Sequence, residues 1–262
     1  MIFLFLCSLK QLNTNVMNKT WKALAAIMLI GVLAVSCKKP KQPDNGGNNT
    51  PTITYEAVDL GLPSGTLWAT FNVGATKPNE AGYYFAWGET AKKDSYSWGN
   101  YKYCRFADTI NKMTKYCDVA SYGYNGFTDN LWTLTSQDDA ATVNWGSDWC
   151  TPTYEQWKEL WEKCENVDHY EGDVYGCRFK GPNGKTIFLP AAGSYDVSGA
   201  VNMGFVGNYW SSTLSGHSHS LIEEGPDCAL GYHFYGPVPY MSFIEDYQRY
   251  KGYSIRAVRV AH

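Results

Sequence analysis

Residues 144–164 read NWGSDWCTPTYEQWKELWEKC, and the second half of this stretch is the clearest helix signal in the chain. Thr153 and Gln156 are spaced as a capping box, in which hydroxyl and amide satisfy orphan backbone donors. Pro152 cannot continue a helix backwards, so the helix is expected to begin just after it. Three- and four-residue spacing predicts one apolar face, made of Tyr154, Trp157, Leu160, Trp161 and Cys164. Because large aromatic side chains bury much apolar area, we expect this face to anchor the core.

The N-terminal part of the sequence has the features of an export signal. Met17 is followed by Lys19 and Lys22, and then by 13 apolar residues at positions 23–35. A run of this length fits the core of a signal peptide, whereas a membrane span takes about 18 residues or more. We therefore expect translation to start at Met17, so that residues 1–16 are an upstream extension and not part of the natural protein.

The leader ends at Leu33-Ala34-Val35-Ser36-Cys37, which resembles the lipobox of bacterial lipoproteins. Residues 1–37 make up the leader. In such proteins the signal is cut just before the cysteine, here Cys37, which is then acylated. The resemblance implies a palmitate-bearing anchor at Cys37 and a place on the outer membrane, facing the cell surface or the periplasm. An ordinary signal peptide with a coincidental cysteine is the alternative. Residues 38–51 lack apolar side chains other than proline and predict a flexible tether, so residues 52–262 form the folded domain.

Charge and cysteine content exclude several classes of function. Three of the 22 Lys and Arg side chains lie in the leader, which has no acids, so 19 remain against 25 Asp and Glu. A mildly acidic chain without a basic run has no electrostatic footprint for nucleic acid. The long cysteine spacings, without a Cys-x-x-Cys motif, argue against structural zinc, and no cofactor is expected. Export permits disulfides, but spacing does not choose among pairings of Cys104, Cys117, Cys150, Cys164, Cys177 and Cys228.

Turn signals divide the domain into short strands and long loops. Asn183-Gly184 between alternating segments predicts a β-hairpin of residues 174–180 and 185–189. Ser136 and Asp139 are spaced as a second capping box, which predicts a short helix within 134–141. Residues 89–130 are expected to form an insertion with little regular structure. Further short strands are predicted after the turn at 63–65 and at 82–88, 208–213, 228–234, 241–244 and 254–260.

These pieces, in this order, resemble the bacterial family called the Fibrobacter succinogenes major paralogous domain. The resemblance covers about residues 55–260. It departs from the family pattern at Cys150, Thr151 and Ala257. It implies a C-type-lectin-like α+β domain with a small twisted mixed or antiparallel sheet, two short helices, long loops and neighbouring termini. The residues that carry it are 58–69, Asn72-Val73-Gly74-Ala75, 85–90, 138–141, 149–160, 187–193, 209–212 and 253–259.

We expect no catalytic activity and no metal site. The oxidases of the related formylglycine-generating branch use two cysteines, and Gly252 and Ala257 stand at those positions. Neither residue has sulfur for copper or disulfide chemistry. No Gly-x-Ser-x-Gly nucleophile elbow occurs. His217 and His219 are close in sequence, but in a glycine- and serine-rich loop they are more typical of an exposed polar segment.

The Tyr-rich region 215–252 is the predicted binding face, because tyrosines on loops of a rigid scaffold give large contact area at low entropy cost. The alternative is that about half of these aromatic residues belong to the core. The predicted function is a non-catalytic, lipid-anchored envelope protein that binds a glycan or protein ligand. A structural subunit or cap of a fimbria-like assembly, or an enzyme of unknown type, are the alternatives. The candidate ligand-binding residues are Tyr232, His233, Tyr235, Tyr240, Tyr247, Arg249 and Tyr250.

Overall fold

The computed structural model describes residues 54–107, 110–216, 225–236 and 242–260. The predicted leader with Cys37, the tether and Tyr240 lie outside the described residues. Thr52–His262 forms one compact unit. Within the described part of this unit, no helix is both long enough and apolar enough to span a bilayer.

The described chain is an α+β structure, as predicted, with two short helices and mostly antiparallel strands. Helix α1 is Ala140–Trp145 and helix α2 is Tyr154–Lys163. The strands are β1 Ala57–Asp59, β2 Thr66–Ala69, β3 Cys104–Ala107, β4 Ile110–Met113, β5 Glu165–Glu171, β6 Val174–Lys180, β7 Thr186–Pro190, β8 Ser194–Asp196, β9 Gly199–Val201, β10 Val206–Leu214, β11 Cys228–Tyr235, β12 Ser242–Gln248 and β13 Val258–Val260.

These strands form several small sheets instead of one large one. Three sheets have three strands each, in the orders β1-β2-β13, β5-β6-β7 and β10-β11-β12, and β3-β4 and β8-β9 are two-stranded. Strands β1 and β13 both pair with β2, in antiparallel register. The beginning and the end of the described domain therefore lie side by side.

Helix α2 begins where the sequence predicts. The Thr153 hydroxyl accepts from the Gln156 amide at 3.2 Å, and the Gln156 side chain accepts from the Thr153 amide at 2.9 Å. Trp157 and Leu160 are buried, but Trp161 is 43% exposed, so the predicted apolar face is too wide. Successive residues are about 100° apart around a helix axis. Leu160 faces the core, so the next residue, Trp161, points away from it.

Helix α1 begins later than predicted, because Asp139 caps the helix and does not lie inside it. The Asp139 carboxylate accepts from the backbone amides of Ala141 at 2.9 Å and Thr142 at 3.2 Å. It also accepts from the Thr151 amide at 2.8 Å. The predicted capping box of Ser136 and Asp139 is therefore wrong, and Asp139 instead fastens α1 to the segment that precedes α2.

Six predicted strands are confirmed, among them β2, and two need correction. The hairpin of β6 and β7 and the strands β10, β11 and β12 lie close to their predicted positions. Residues 82–88 are not a strand, since only Phe85 makes a bridge, to Tyr253. The final strand is limited to β13, because the backbone groups of residues 255–257 form hydrogen bonds outside a regular strand pairing. For example, the Ala257 carbonyl accepts from the Ala69 amide at 2.9 Å.

The segment 89–130 is more ordered than the sequence indicates. It contains the β3-β4 hairpin and two short 3-10 turns, and it contributes buried aromatic rings to the core. Tyr96, Tyr101, Tyr103 and Tyr116 are among these rings. The sequence does not predict this role, because tyrosine is amphipathic and can lie either at the surface or in the core. A buried tyrosine hydroxyl needs a hydrogen-bond partner, which only the folded chain supplies.

Arg256 holds three parts of the domain together from a fully buried position. Its guanidinium donates to the Asn72 side chain at 2.9 Å, the Ala69 carbonyl at 3.0 Å and the Phe188 carbonyl at 2.8 Å. Burial lowers the pKa of Arg256 to about 10, so the group stays charged at neutral pH. These bonds join the end of β2, strand β7 and the C-terminal segment.

Asp138 is the centre of a second polar cluster at the edge of the core. Its carboxylate accepts from Tyr103, from Tyr116 at 2.7 Å and from Lys115 at 2.5 Å. Burial would raise the pKa of Asp138, but these hydrogen bonds outweigh it and hold the pKa well below its usual value. The charged carboxylate therefore stabilises the folded state.

We expect Asp138→Asn to lower the free energy of unfolding by about 3 kcal/mol at pH 7, since it leaves the lysine and tyrosine partners without a charged acceptor. The folded pKa lies below the unfolded value of about 3.9, so this stabilisation is complete above about pH 5 and is lost as the pH falls. The difference from wild type should shrink by about 1 kcal/mol between pH 7 and pH 3 in urea denaturation. Asp148→Asn, at an exposed position, is the control. A difference that grows on acidification contradicts this account.

Candidate ligand-binding surface

Two of the predicted ligand-binding residues belong to the core. The Tyr232 ring is fully buried and stacks on Trp157, with ring centroids 4.9 Å apart. His233 is buried beside Asn208, with 2.6 Å between its Nδ1 and the Asn208 Oδ1. Burial lowers the pKa of His233 to about 4, so the ring is neutral at neutral pH. Both side chains support the fold from within strand β11.

Arg249 is also buried, although its charge suggested a ligand contact. Its guanidinium donates to the Tyr101 hydroxyl at 2.8 Å and lies 4.8 Å from the Trp87 ring. It further donates to the carbonyls of Lys115, Tyr116 and Pro226. Arg249 therefore connects the segment 89–130 to the end of β12, and its side chain does not reach the surface.

The remaining predicted residues are spread over different surroundings. Tyr247 is half-buried against Tyr253 at 5.2 Å, and Tyr250 is half-buried against Trp98 at 5.0 Å. Burial and the nearby Asp196 raise the pKa of Tyr250. Tyr235 is the one candidate among the described residues that the structure leaves clearly exposed. The six predicted residues that the structure describes therefore do not form one binding face.

A pocket of about 360 Å³ lies where strand β5 turns into strand β6. A volume of this size is in the range of small-molecule sites. Apolar groups form most of it, together with the polar side chains of Asn79 and Asp173. The lining residues are Asn79, Ala81, Tyr170, Asp173, Val174, Tyr175, Pro190, Ala191, Ala192, Met203 and Gly204.

Large apolar side chains stand exposed around this pocket. The exposed fractions are 63% for Tyr170 and 55% for Met203, which both line it, and 64% for Phe205, two residues after Met203. Tyr235 is 40% exposed, but its ring lies 4.3 Å from His233, on the face of β11 that points away from Tyr175. The Phe205 carbonyl accepts from the Gly236 amide at 2.8 Å, which connects this loop to the end of β11. We name Tyr170 and Met203, with the buried Tyr175 beneath them, the Tyr170 surface. Exposed apolar groups gathered in this way are typical of binding sites.

Tyr175 fixes the orientation of this surface from below. Its ring packs edge-on against Tyr170, with centroids 5.4 Å apart. Its hydroxyl donates to the Asp168 carboxylate at 2.7 Å, and burial together with this bond raises its pKa, so it remains a neutral donor. A Cβ at Gly236 would lie 2.0 Å from the Tyr175 ring. Glycine at this position thus lets β11 approach the pocket closely.

A smaller pocket of about 170 Å³ lies beside the first. It contains an ion pair between Arg178 Nη2 and Glu171 Oε2 at 3.3 Å. Val58 and Phe188 give it apolar walls, and Thr186 adds a hydroxyl. We name it the Arg178 pocket.

The residues that form these pockets were not predicted from the sequence. Strand β5 has four Asp, Glu or His side chains in seven positions, so its sequence lacks the apolar alternation that predicts a strand. Its pairing to β6 nevertheless places Glu165 opposite Lys180. Opposite charges on facing strands were the available signal. Met203 and Phe205 lie in a turn, where exposed apolar residues are the unusual feature.

The cysteines show no arrangement for chemistry. Cys104, Cys117, Cys150, Cys164 and Cys177 are free thiols. Burial raises the pKa of Cys150 and Cys164 to about 11 and that of Cys177 to about 12. A thiol in that state is protonated at neutral pH and is a poor nucleophile. No group of three metal-ligating side chains occurs within the described residues.

Comparison of the chain with protein families, curated proteins and solved structures gives no match. Assignment of a function therefore rests on the sequence and on the geometry of the two pockets.

We expect Arg249→Lys to lower the free energy of unfolding by about 3 kcal/mol, because lysine cannot form all of the buried hydrogen bonds that the guanidinium donates. Tyr235→Ala is expected to change it by less than about 1 kcal/mol, since much of that ring is already in water. Urea denaturation of both variants measures the difference. Equal losses would mean that Arg249 is not the structural link described above.

Proposed function

We propose that this chain is a non-catalytic, lipid-anchored protein of the bacterial cell envelope that binds a glycan or protein ligand. The observation that carries the proposal is the Tyr170 surface, where exposed aromatic and thioether groups surround a pocket. Leaving these side chains in water costs hydrophobic free energy that folding alone would recover by burying them. A ligand that covers them supplies that burial.

The location of the site differs from the sequence prediction. The surface comes from β5, β6 and the turn before β10, and the predicted residue Tyr235 lies outside it. Tyrosine rings offer an apolar face and a polar hydroxyl, which suits both sugars and protein side chains. The two pockets give the site concave shape as well as apolar area.

The leader supports the location in the envelope. The run 23–35 and the small residues before Cys37 favour export and acylation. Residues 38–51 then separate the anchor from the domain. Anchoring at the outer membrane, with the domain on the cell surface or in the periplasm, follows from this arrangement as part of the proposal.

A C-type-lectin-like fold is part of the same proposal. It is supported by the small antiparallel sheets, the two short helices, the long loops, and the pairing of β1 and β13 with one common strand. It gives no reaction and no ligand by itself, because function depends on the site that a fold carries.

To test ligand binding, the purified full chain in detergent is applied to a glycan array and used to pull down envelope proteins. We expect at least one specific signal, which Tyr170→Ala weakens about tenfold or more because the exposed ring supplies central contact area. Phe127→Ala is the matched control, since this exposed ring lies outside both pockets. The absence of any specific signal, or equal losses in both variants, contradicts the proposed binding function.

To test the anchor, cells are labelled with radioactive palmitate. Wild type is expected to incorporate label and to fractionate with membranes, and Cys37→Ala to do neither, because the acylated sulfur is missing. Cys150→Ala is the control for loss of an unrelated thiol. Labelling that survives in Cys37→Ala rules out this anchor.

A further inference from the structure

The pocket beside Tyr170 and the Arg178 pocket are adjacent. Asn79 and Tyr170 line the first, and Pro78 and Glu171 line the second. Tyr170 and Glu171 are successive residues of β5, so their side chains point to opposite faces of the sheet, and the pockets meet at the edge that β5 forms. The Asn79 amide donates to the Glu171 carbonyl at 3.4 Å, where the two pockets meet. A ligand that is long enough can therefore extend from one pocket to the other across this contact.

The Arg178 pocket presents donors and acceptors side by side. The Arg178 guanidinium and the Glu171 carboxylate are 3.3 Å apart, with side chains 35% and 39% exposed. Both retain hydrogen-bonding capacity toward solvent, because guanidinium has five N–H donors and carboxylate several acceptor sites. A hydroxyl group donates and accepts, so neighbouring hydroxyls on one ring match this pair.

The charges of the two pockets disfavour an anionic ligand. Their ionisable side chains are Glu171 and Arg178 in the smaller pocket and Asp173 in the larger. One positive charge faces two negative charges, and the positive charge is already paired with Glu171. A carboxylate or phosphate would enter a region of net negative charge, whereas a neutral polar ligand pays no such repulsion.

The larger pocket offers an apolar surface against which the less polar face of a ligand ring can pack. Its floor is apolar, formed by Pro190 and the two alanines that follow it. The Tyr170 ring stands at its side and is held edge-on by Tyr175. Asn79 and Asp173 add a few polar groups, the usual composition of a site that orients a small ligand.

We infer that the ligand is a neutral oligosaccharide of at least two sugar units, with one unit against Tyr170 and the next in the Arg178 pocket. The inference rests on the proposed function and narrows its ligand from glycan or protein to one class. Stacking on Tyr170 supplies apolar contact, and Arg178 with Glu171 recognises hydroxyl groups of the second unit.

The test uses the purified full chain in detergent, with neutral gluco-, galacto-, manno- and xylo-oligosaccharides of one to six units as probes. A parallel set contains uronic acid units. Isothermal titration calorimetry is expected to show binding to one neutral series, with affinity rising about tenfold or more from one unit to two or three. Binding of the acidic set in preference to the neutral one overturns the inference, and so does an affinity that is independent of length.

Two variants separate the pockets. Tyr170→Ala is expected to weaken binding of every length, whereas Arg178→Gln removes only the gain from the second unit. Thr186→Val, at an exposed position of the same pocket, is expected to reduce that gain in part and guards against a folding defect in Arg178→Gln. Lys180→Gln is the matched control, since its exposed pair with Glu165 lies outside both pockets. If Lys180→Gln and Arg178→Gln lose affinity equally, the role of the Arg178 pocket is wrong.

A photoreactive residue in place of Met203, which lines the same pocket as Tyr170, distinguishes the two levels of the proposal. A protein adduct in intact cells, without binding of any oligosaccharide, refutes the sugar ligand and leaves the proposed binding function standing. Absence of both the adduct and oligosaccharide binding refutes the binding function itself. Oligosaccharide binding that Tyr170→Ala abolishes supports both.

Discussion

The rest of the structure depends on the burial of the Trp157 ring. It lies 4.8 Å from Trp68, 4.9 Å from Tyr232 and 5.8 Å from Tyr209, measured between ring centroids. One side chain thus holds helix α2 against β2, β10 and β11. Its indole N–H donates to the Trp210 carbonyl at 3.2 Å, so the burial leaves no unpaired donor. With several small sheets and no large one, the domain needs such a contact between sheets, because none of them encloses a core alone.

Local sequence signals predicted the elements that local interactions form. The capping box of Thr153 and Gln156 and the Asn183-Gly184 turn act within a few residues, and both lie where expected. The start of α1 was missed since Asp139 has a distant partner, the Thr151 amide, which spacing does not reveal. Strand β5 and the order of the segment 89–130 depend on pairing and on buried hydroxyl partners. Information of that kind exists only in the folded chain.

The site was harder to predict than the fold for a related reason. Tyrosine and arginine are typical of binding surfaces, but they serve equally well inside a core when their polar groups find partners. Arg249 finds four acceptors and Tyr232 finds the face of Trp157, so both are structural. Tyr170 has the same side chain as Tyr232, but it is exposed to solvent. Composition indicated a tyrosine-rich binding protein, while burial decided which tyrosines remain available.

The exposed surface and the core are joined by ring contacts at both ends of strand β6. Trp157 stacks on Tyr232, and Tyr232 meets Phe179 edge-on at 5.9 Å. Phe179 lies in β6, the strand that also carries Tyr175, and Tyr175 supports Tyr170. A binding surface gains affinity when its groups are held in place before the ligand arrives, because less conformational entropy is lost on binding. In the proposed binding site, the helix that organises the fold would therefore also contribute to affinity, through the rigidity that it gives to the Tyr170 ring.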